Sequence, residues 1–274
     1  MGRKLGIIGA GKVGEALAVG VAQRGLVGRE DMILSVRTER HRAELEARTG
    51  MRTVLDNREL ARLSDAVVVA VKPKAVVDVI EEIAPELGKG KLLISTAAGV
   101  SLELLESAAP PGTPVIRTMP NMAVGIGEGM TVLSPGAGVG PEDLAWATEL
   151  FRSVGRALVL EEQYMDAVTG LSGSGPAYVY VIIESLADGG LKLGLPRDVA
   201  TELAAQTVLG AARNVLLTGE HPAKLKDQVT TPAGVTIDGI LELEAGGLRL
   251  TLINAVVKAA ERAAQLLKKT RQDP

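Results

Sequence analysis

This chain of 274 residues has no cysteine, one tryptophan, one phenylalanine and two histidines. Without cysteine there are no disulfides, no thiolate nucleophile and no cysteine-ligated metal, and the composition suits a reducing compartment, so a cytoplasmic location is the expectation. Aromatics make up 2% of the residues while hydrophobic residues make up 46%. The core must therefore be built from Ala, Val, Leu and Ile, which pack well in parallel strands and tight helix contacts. His41 lies between Arg40 and Arg42 in a charged helical stretch, and His221 precedes Pro222 in a turn. Both read as surface or packing residues rather than catalytic bases. Asp166, Asp188 and Asp238 stand singly among helical patterns, without the clustered spacing of a metal site, so no metal is expected. No segment approaches the roughly 20 apolar residues of a membrane span. Met1-Gly2-Arg3-Lys4 leads directly into an apolar strand, and Lys12 and Glu15 interrupt the stretch where a signal peptide needs its apolar centre. With 30 basic and 33 acidic residues, a net charge of -3 and no run of like charge, nucleic acid is not an expected partner.

The length suffices for two modest domains with buried cores. Short apolar runs, Leu5 to Ile8, Met32 to Val36, Ala66 to Val71, Leu92 to Ser95 and Pro114 to Arg117, are punctuated by Gly, Pro, Ser or Thr and alternate with helical patterns. That alternation predicts a parallel sheet. Met130 to Leu133 and Ala157 to Val159, flanking a helix at Glu142 to Phe151, extend it to seven or eight strands. From Gln163 onward the pattern turns helical, with helices expected at Ala177 to Leu193, Arg197 to Leu217, Val235 to Leu243 and Leu248 to Lys268. The predicted organisation is an α/β Rossmann-type dinucleotide-binding domain over 1–160 and an all-α dimerisation and substrate domain over 161–274.

Gly9-Ala10-Gly11-Lys12-Val13-Gly14 falls directly after the first strand and directly before a helical run. Gly9 permits the tight turn, Gly11 lets backbone approach a pyrophosphate at the helix N-terminus, and Gly14 allows helix and strand to pack closely. The second strand ends in Ser35-Val36-Arg37-Thr38-Glu39-Arg40, without the acid that would hydrogen-bond an adenosine ribose. Hydroxyls and guanidinium groups are instead available to a 2′-phosphate, which favours NADPH, with NADH as the other candidate. The alternative for Arg37 and Arg40 is that both are solvated loop cations. Ala70-Val71-Lys72-Pro73 and Thr96-Ala97-Ala98-Gly99 close the third and fourth predicted strands at the carboxyl edge, where ligands sit in open α/β sheets, and are read as lining the nicotinamide site. Pro73 biases Lys72 to extended backbone, so Lys72 either faces the cofactor or caps the strand in water. Met119-Pro120-Asn121 is, as bare sequence, a turn signal.

The segment KDQVTTPAGVTIDGILELEAGGLR, Lys226 to Arg249, packs the Thr230, Thr231 and Thr236 hydroxyls into a Pro/Gly turn that opens a helix. Such a turn suits a carboxylate without any basic side chain, through hydroxyls and free backbone N–H groups. Together with the Gly9–Gly14 fingerprint, it resembles pyrroline-5-carboxylate reductase, and the resemblance runs from Gly6 to about Ala264. The resemblance implies NAD(P)H-dependent reduction of the imine of 1-pyrroline-5-carboxylate to L-proline. It implies that Thr231 and the amides of Val235 and Thr236 grip the substrate carboxylate, and that the Thr236 hydroxyl meets the ring nitrogen. It further implies that Asn57 assists at the 2′-phosphate, that Asn121 lies beside the nicotinamide, and that helical domains interlock in a homodimer, with higher assemblies known in the family.

In Gly170-Leu171-Ser172-Gly173-Ser174-Gly175-Pro176, the serines either cap the following helix or touch substrate, Ser174 being the substrate candidate. Related 3-hydroxyacid dehydrogenases follow a similar turn with a helical lysine and asparagine, but here Val179, Ile182 and Ile183 fill those positions. No lysine is available to take a proton from an alcohol, so alcohol oxidation is disfavoured. The competing readings are a hydroxy-acid dehydrogenase or other imine reductase, and a nucleotide sensor without chemistry.

Overall fold

The computed structural model describes residues 2–88 and 90–270, with side chains as far as Gln265; Met1 and residues 271–274, the outer ends of the two expected domains, lie outside the described residues. The chain divides into two compact units, one running to Ser174 and including the chain from Lys258 onward, the other being Gly175–Val257.

The first unit holds eight strands: β1 (Leu5–Ile8), β2 (Met32–Ser35), β3 (Arg52–Val54), β4 (Ala66–Val69), β5 (Leu92–Ser95), β6 (Val115–Pro120), β7 (Gly129–Pro135) and β8 (Gly155–Val159). They form one sheet in the order β3-β2-β1-β4-β5-β6-β7-β8. Every pairing is parallel except β6 with β7, where Thr118 lies opposite Leu133 in an antiparallel ladder. Helices α1 (Lys12–Gln23), α2 (Glu39–Thr49), α3 (Asn57–Leu63), α4 (Val76–Ile83), α5 (Leu102–Ala108), α6 (Pro141–Arg152) and α7 (Met165–Val168) connect or follow them. Strand residues alternate between two cores. Leu5, Ile7, Leu34, Val68, Ile94 and Ile116 join Phe151 in one, while Ile8, Ile33, Val67, Val69, Leu93 and Val115 meet Leu60, Ile80 and Leu105 in the other. Both sheet faces are thus covered, which is why these strands read as continuous apolar runs.

Two features depart from the expectation. β3 pairs in parallel with β2 although Arg52-Thr53-Val54 carries too little apolar signal to mark a strand. β7 also runs antiparallel to β6, where the alternation of strands and helices predicts a parallel sheet.

Side-chain caps open α2, α3 and α5. Asp56 accepts the Arg58 and Glu59 amides at 2.8 and 3.3 Å and so opens α3, placing Asn57 in its first turn. Replacing Asp56 by alanine is expected to cost about 1 kcal/mol, read as a fall of roughly 2–4 °C in Tm.

The second unit is helical, with α8 (Gly175–Lys192), α9 (Arg197–Thr218), α10 (Pro222–Val229) and α11 (Val235–Ala245), followed by α12 (Leu248–Thr270), whose last turns belong to the first unit. The four expected helices lie within two residues of these bounds. α10 was not anticipated; Lys224, Lys226 and Asp227 give it no apolar period, and its cap is His221, whose Nδ1 accepts the Ala223 amide. The second unit's internal core is small, Ala187, Ala200 and Ala204 with Ile183, all on α8 and α9. Leu203, Leu209, Leu216, Leu241, Leu250 and Ile253 are exposed.

Candidate active site

The strand order reverses between β1 and β4, and ligands of open α/β sheets bind at the carboxyl edge of such a switch point. Backbone hydrogen bonds draw the predicted segments together at this edge. The Gly9 and Ala10 amides donate to the Ser35 carbonyl at 3.2 and 3.0 Å, the Ala70 amide to Ile8 at 2.8 Å, and the Thr96 amide to Val69 at 3.1 Å. Gly9 has φ +82°, and a β-carbon there would lie 2.6 Å from Val71 Cγ1. At Gly14 a β-carbon would lie 2.9 Å from the Gly9 carbonyl oxygen, so the helix approaches the turn as closely as glycine allows. Gly11 differs: beyond its chain neighbours, no described residue comes within 4 Å of the place a side chain would take, and it opens α1 with no side-chain cap. Open space in front of uncapped helix amides fits a pyrophosphate. Lys12 is exposed, while Val13 packs on the core below.

Beside this edge, Arg37 is exposed and has neither an ion pair nor a hydrogen bond among the described residues, whereas Arg40 pairs with Glu44. That hydrogen bond raises Arg40 above its ordinary pKa and lowers Glu44 below its own. Of the two cations, Arg37 is the one free to meet a phosphate. The Thr38 hydroxyl oxygen accepts the His41 amide and caps α2, which leaves its proton available. Asn57 lies between Ser35 and Glu82, hydrogen-bonded to both.

On the other side of the edge, Ala97 is buried, Ala98 half-buried, and Gly99 turns the chain at φ +69°. Lys72 has the extended backbone (ψ 147°) that Pro73 imposes, and both are exposed. Asn121 follows β6, where its Oδ1 accepts the amides of Ala123 and Met130, both at 3.2 Å. It organises the β6–β7 turn and keeps its side-chain N–H groups. β6 also carries Arg117, almost fully buried, which donates to Glu162 Oε1 at 2.9 Å and faces Asp166 Oδ1 at 4.0 Å. Glu162 accepts the Leu102 amide at the start of α5 as well. Two residues on, the Met119 methyl fills the space a side chain on Gly173 would need. Gly173 ends a π-helical turn, Thr169–Gly173, a geometry that often marks functional sites. Ser174 closes this turn through its amide, which donates to Thr169. Its hydroxyl has no partner among the described residues, and Ser172 bonds back to Val168, so neither caps α8.

Within the helical unit, α11 begins at Val235 behind Gly234, again without a side-chain cap. Pro232 and Ala233 form the middle of a turn closed by the Gly234 amide on the Thr231 carbonyl at 3.0 Å. Ala233 has φ +55°, the single left-handed conformation outside glycine among the described residues. A β-carbon on Gly234 would lie 2.3 Å from Thr231 Oγ1, so the missing side chain lets that hydroxyl reach the helix start. Helical threonines such as Thr148, Thr207 and Thr251 bond back to the carbonyl four residues earlier. Thr230 does the same to Lys226, so its proton is not available to a ligand. Thr231 and Thr236 make no such bond and keep their hydroxyls. The hollow of about 500 Å³ between α8 and α9, lined by Tyr180, Glu184, Asp188 and Arg197, contains none of these residues.

A protein of Methanosarcina acetivorans named pyrroline-5-carboxylate reductase is 47% identical over 267 residues, covering 97% of this chain and 99% of its own. This chain belongs to the pyrroline-5-carboxylate reductases. The reductase structure from Coxiella burnetii matches it with a TM-score of 0.91 at 33% identity, covering 97% of this chain and 99% of that one. The Plasmodium falciparum pyrroline carboxylate reductase with NADP bound matches with a TM-score of 0.87 at 34% identity, covering 97% and 98%. Residues 162–266 match the family model for pyrroline-5-carboxylate reductase dimerisation, and residues 4–99 the one described as NADP oxidoreductase, coenzyme F420-dependent. A dimerisation domain accounts for the apolar side chains that the reductase exposes on α9, α11 and α12, and it supports homo-oligomerisation. No described helix of the reductase is long and apolar enough to cross a membrane.

Proposed function

We propose that this NAD(P)H-dependent oxidoreductase reduces 1-pyrroline-5-carboxylate to L-proline, the last step of proline biosynthesis, with NADPH as the preferred donor. The observation that carries this reading is the uncapped start of α11 beside two hydroxyls with no partner among the described residues, Thr231 and Thr236. Thr231 and the amides of Val235 and Thr236 hold the carboxylate, and the N-terminal end of the helix dipole favours its charge. The Thr236 hydroxyl orients the ring nitrogen; it is too weak an acid to protonate the imine nitrogen unaided, and that one proton comes from solvent. When bound, the reduced nicotinamide supplies hydride to the imine carbon while the C=N electron pair moves onto nitrogen. A protonated imine is already an electrophile, so the protein's work is orientation. That agrees with Val179, Ile182 and Ile183 in place of a basic residue on α8.

Gly9 to Gly14 cradle the pyrophosphate, and Arg37, Thr38 and Asn57 meet the 2′-phosphate, with the buried Ser35 hydroxyl bound to Asn57 in support. Ala70 to Pro73, Ala97 to Gly99 and Asn121 border the nicotinamide, with Ser174 at the substrate. The helical domains of two subunits interlock, and the enzyme works in the cytoplasm, where a chain without cysteine has nothing to lose by reduction. Residues 1–160 serve as the cofactor domain and 161–274 as the helical one.

The test is NADPH oxidation, followed by the absorbance of reduced nicotinamide, in the presence of 1-pyrroline-5-carboxylate. Imine-dependent oxidation with proline as product is expected. A folded chain that binds NADPH but oxidises none of it with this imine would overturn the reading. Arg37→Ala should raise the KM for NADPH about three- to tenfold and leave that for NADH unchanged, because a screened charge-assisted bond is lost only with the phosphorylated donor. Equal effects on both would remove Arg37 from the phosphate site.

A further inference from the structure

Three side chains from three separate elements form a hydrogen-bonded relay at the cofactor edge. Ser35, at the end of β2 and 1% exposed, donates its hydroxyl to Asn57 Oδ1 at 2.7 Å. Asn57, the first residue of α3, donates from Nδ2 to Glu82 Oε2 of α4 at 2.9 Å. The order of donors follows from the chemistry of the far end. A carboxylate only accepts, so the amide must present its NH₂ group to Glu82 and its carbonyl to Ser35, and the Ser35 hydroxyl then has to donate. Two consequences follow. Ser35 spends its proton inside the protein, and Asn57 retains one N–H that has no partner among the described residues.

We propose that Glu82 is a positioning residue for cofactor choice, holding the Asn57 amide in the one orientation that donates to a 2′-phosphate on the adenosine ribose. Without Glu82 the amide is free to turn over and present its carbonyl oxygen, an acceptor, to an anion. The inference rests on the NADPH reading of this site. It also runs against the simplest electrostatic view, in which a carboxylate near the phosphate weakens binding by repulsion. The two accounts predict opposite signs.

The experiment is calorimetric titration of the folded oligomer with NADP⁺ and with NAD⁺, for the wild type, Glu82→Ala and Glu82→Gln, alongside a thermal melt of each. Glu82→Ala is expected to weaken NADP⁺ about three- to tenfold, the scale of one oriented hydrogen bond, with NAD⁺ unchanged. Glu82→Gln, whose carbonyl accepts the same N–H, should recover most of the loss. A role confined to packing α3 against α4 would move both cofactors together and lower Tm. NADP⁺ binding that is unchanged or tighter in Glu82→Ala, while the wild type prefers NADP⁺, overturns the relay alone. A wild type with no preference for NADP⁺ overturns the reading beneath it, and the relay with it.

Discussion

Thr236→Ala is expected to lower kcat about a hundredfold, the usual cost of removing one positioned hydrogen-bonding group from a reacting centre. NADP⁺ affinity, measured by calorimetry, should stay at the wild-type value, because Thr236 belongs to the helical unit and the cofactor fingerprint to the other. The expectation rests on how the hydroxyl is spent. A threonine in a helix normally turns its proton back to the carbonyl one turn earlier, as Thr148 and Thr207 do. Thr236 sits in the first turn of α11 and makes no such bond, so it keeps both a proton and lone pairs for an external partner. Thr236→Ser should retain most of the turnover, and Thr236→Val should behave like alanine although it preserves the shape. Wild-type turnover in Thr236→Ala at saturating imine would remove the residue from the chemistry and leave the neighbouring amides as the whole of the grip.

Gly11→Ala is the second large effect. It should weaken NADP⁺ on the order of a hundredfold, equivalent to about 2.7 kcal/mol, while the fold loses no more than an N-cap substitution costs, about 1 kcal/mol. The separation of the two effects is the informative part. Gly11 has φ -81°, which alanine adopts freely, and beyond its chain neighbours no atom of a described residue lies within 4 Å of the added methyl. On the proposed reading, the methyl would fall where the pyrophosphate approaches and not against the fold. Gly9 is the contrast, since its φ of +82° and the nearby Val71 methyl mean that any side chain there disturbs the turn itself. Calorimetry with a melt of each variant separates them: Gly9→Ala should lose both affinity and Tm, Gly11→Ala chiefly affinity. Undiminished NADP⁺ binding by Gly11→Ala would mean that the pyrophosphate does not approach this backbone.

Much of this architecture was legible in the residues because its signals are local. The strands β1, β2, β4 and β5 announce themselves as apolar runs, and the glycine spacing after β1 needs only six residues to be recognised. α8, α9, α11 and α12 have long apolar periods, and their bounds fell within two residues. What escaped depends on distant partners. β3 is three residues long and exists because β2 offers it an edge. Nothing in Gly129–Pro135 states that it will run antiparallel to β6, a direction set by the short turn that Asn121 ties together. Crowding marks Thr230, Thr231 and Thr236 alike as candidates, and Thr230 is set apart only by the Lys226 carbonyl that takes its proton. Arg37 and Arg40 likewise look alike until Glu44 claims one of them. Glu82 lies 25 residues from Asn57, and Glu162 lies 45 from Arg117, separations at which no spacing rule operates.

The placing of Arg117 and Met119 two residues apart on β6 bears on how the chain finds its fold. Side chains on a strand alternate faces, so a slip of one residue would move every group from one covered face of the sheet to the other. In the native register Arg117 meets Glu162, and Met119 meets the bare backbone of Gly173, while Ile116 enters the core around Leu133 and Phe151. Shifted by one, the guanidinium would enter that aliphatic core without a counter-charge, and a buried charge stripped of its partner costs several kcal/mol. β6 is also where the sheet changes direction, so β7 and β8 inherit whatever alignment it takes. One buried arginine thereby rejects the misaligned sheets that a strand of aliphatic residues alone would tolerate.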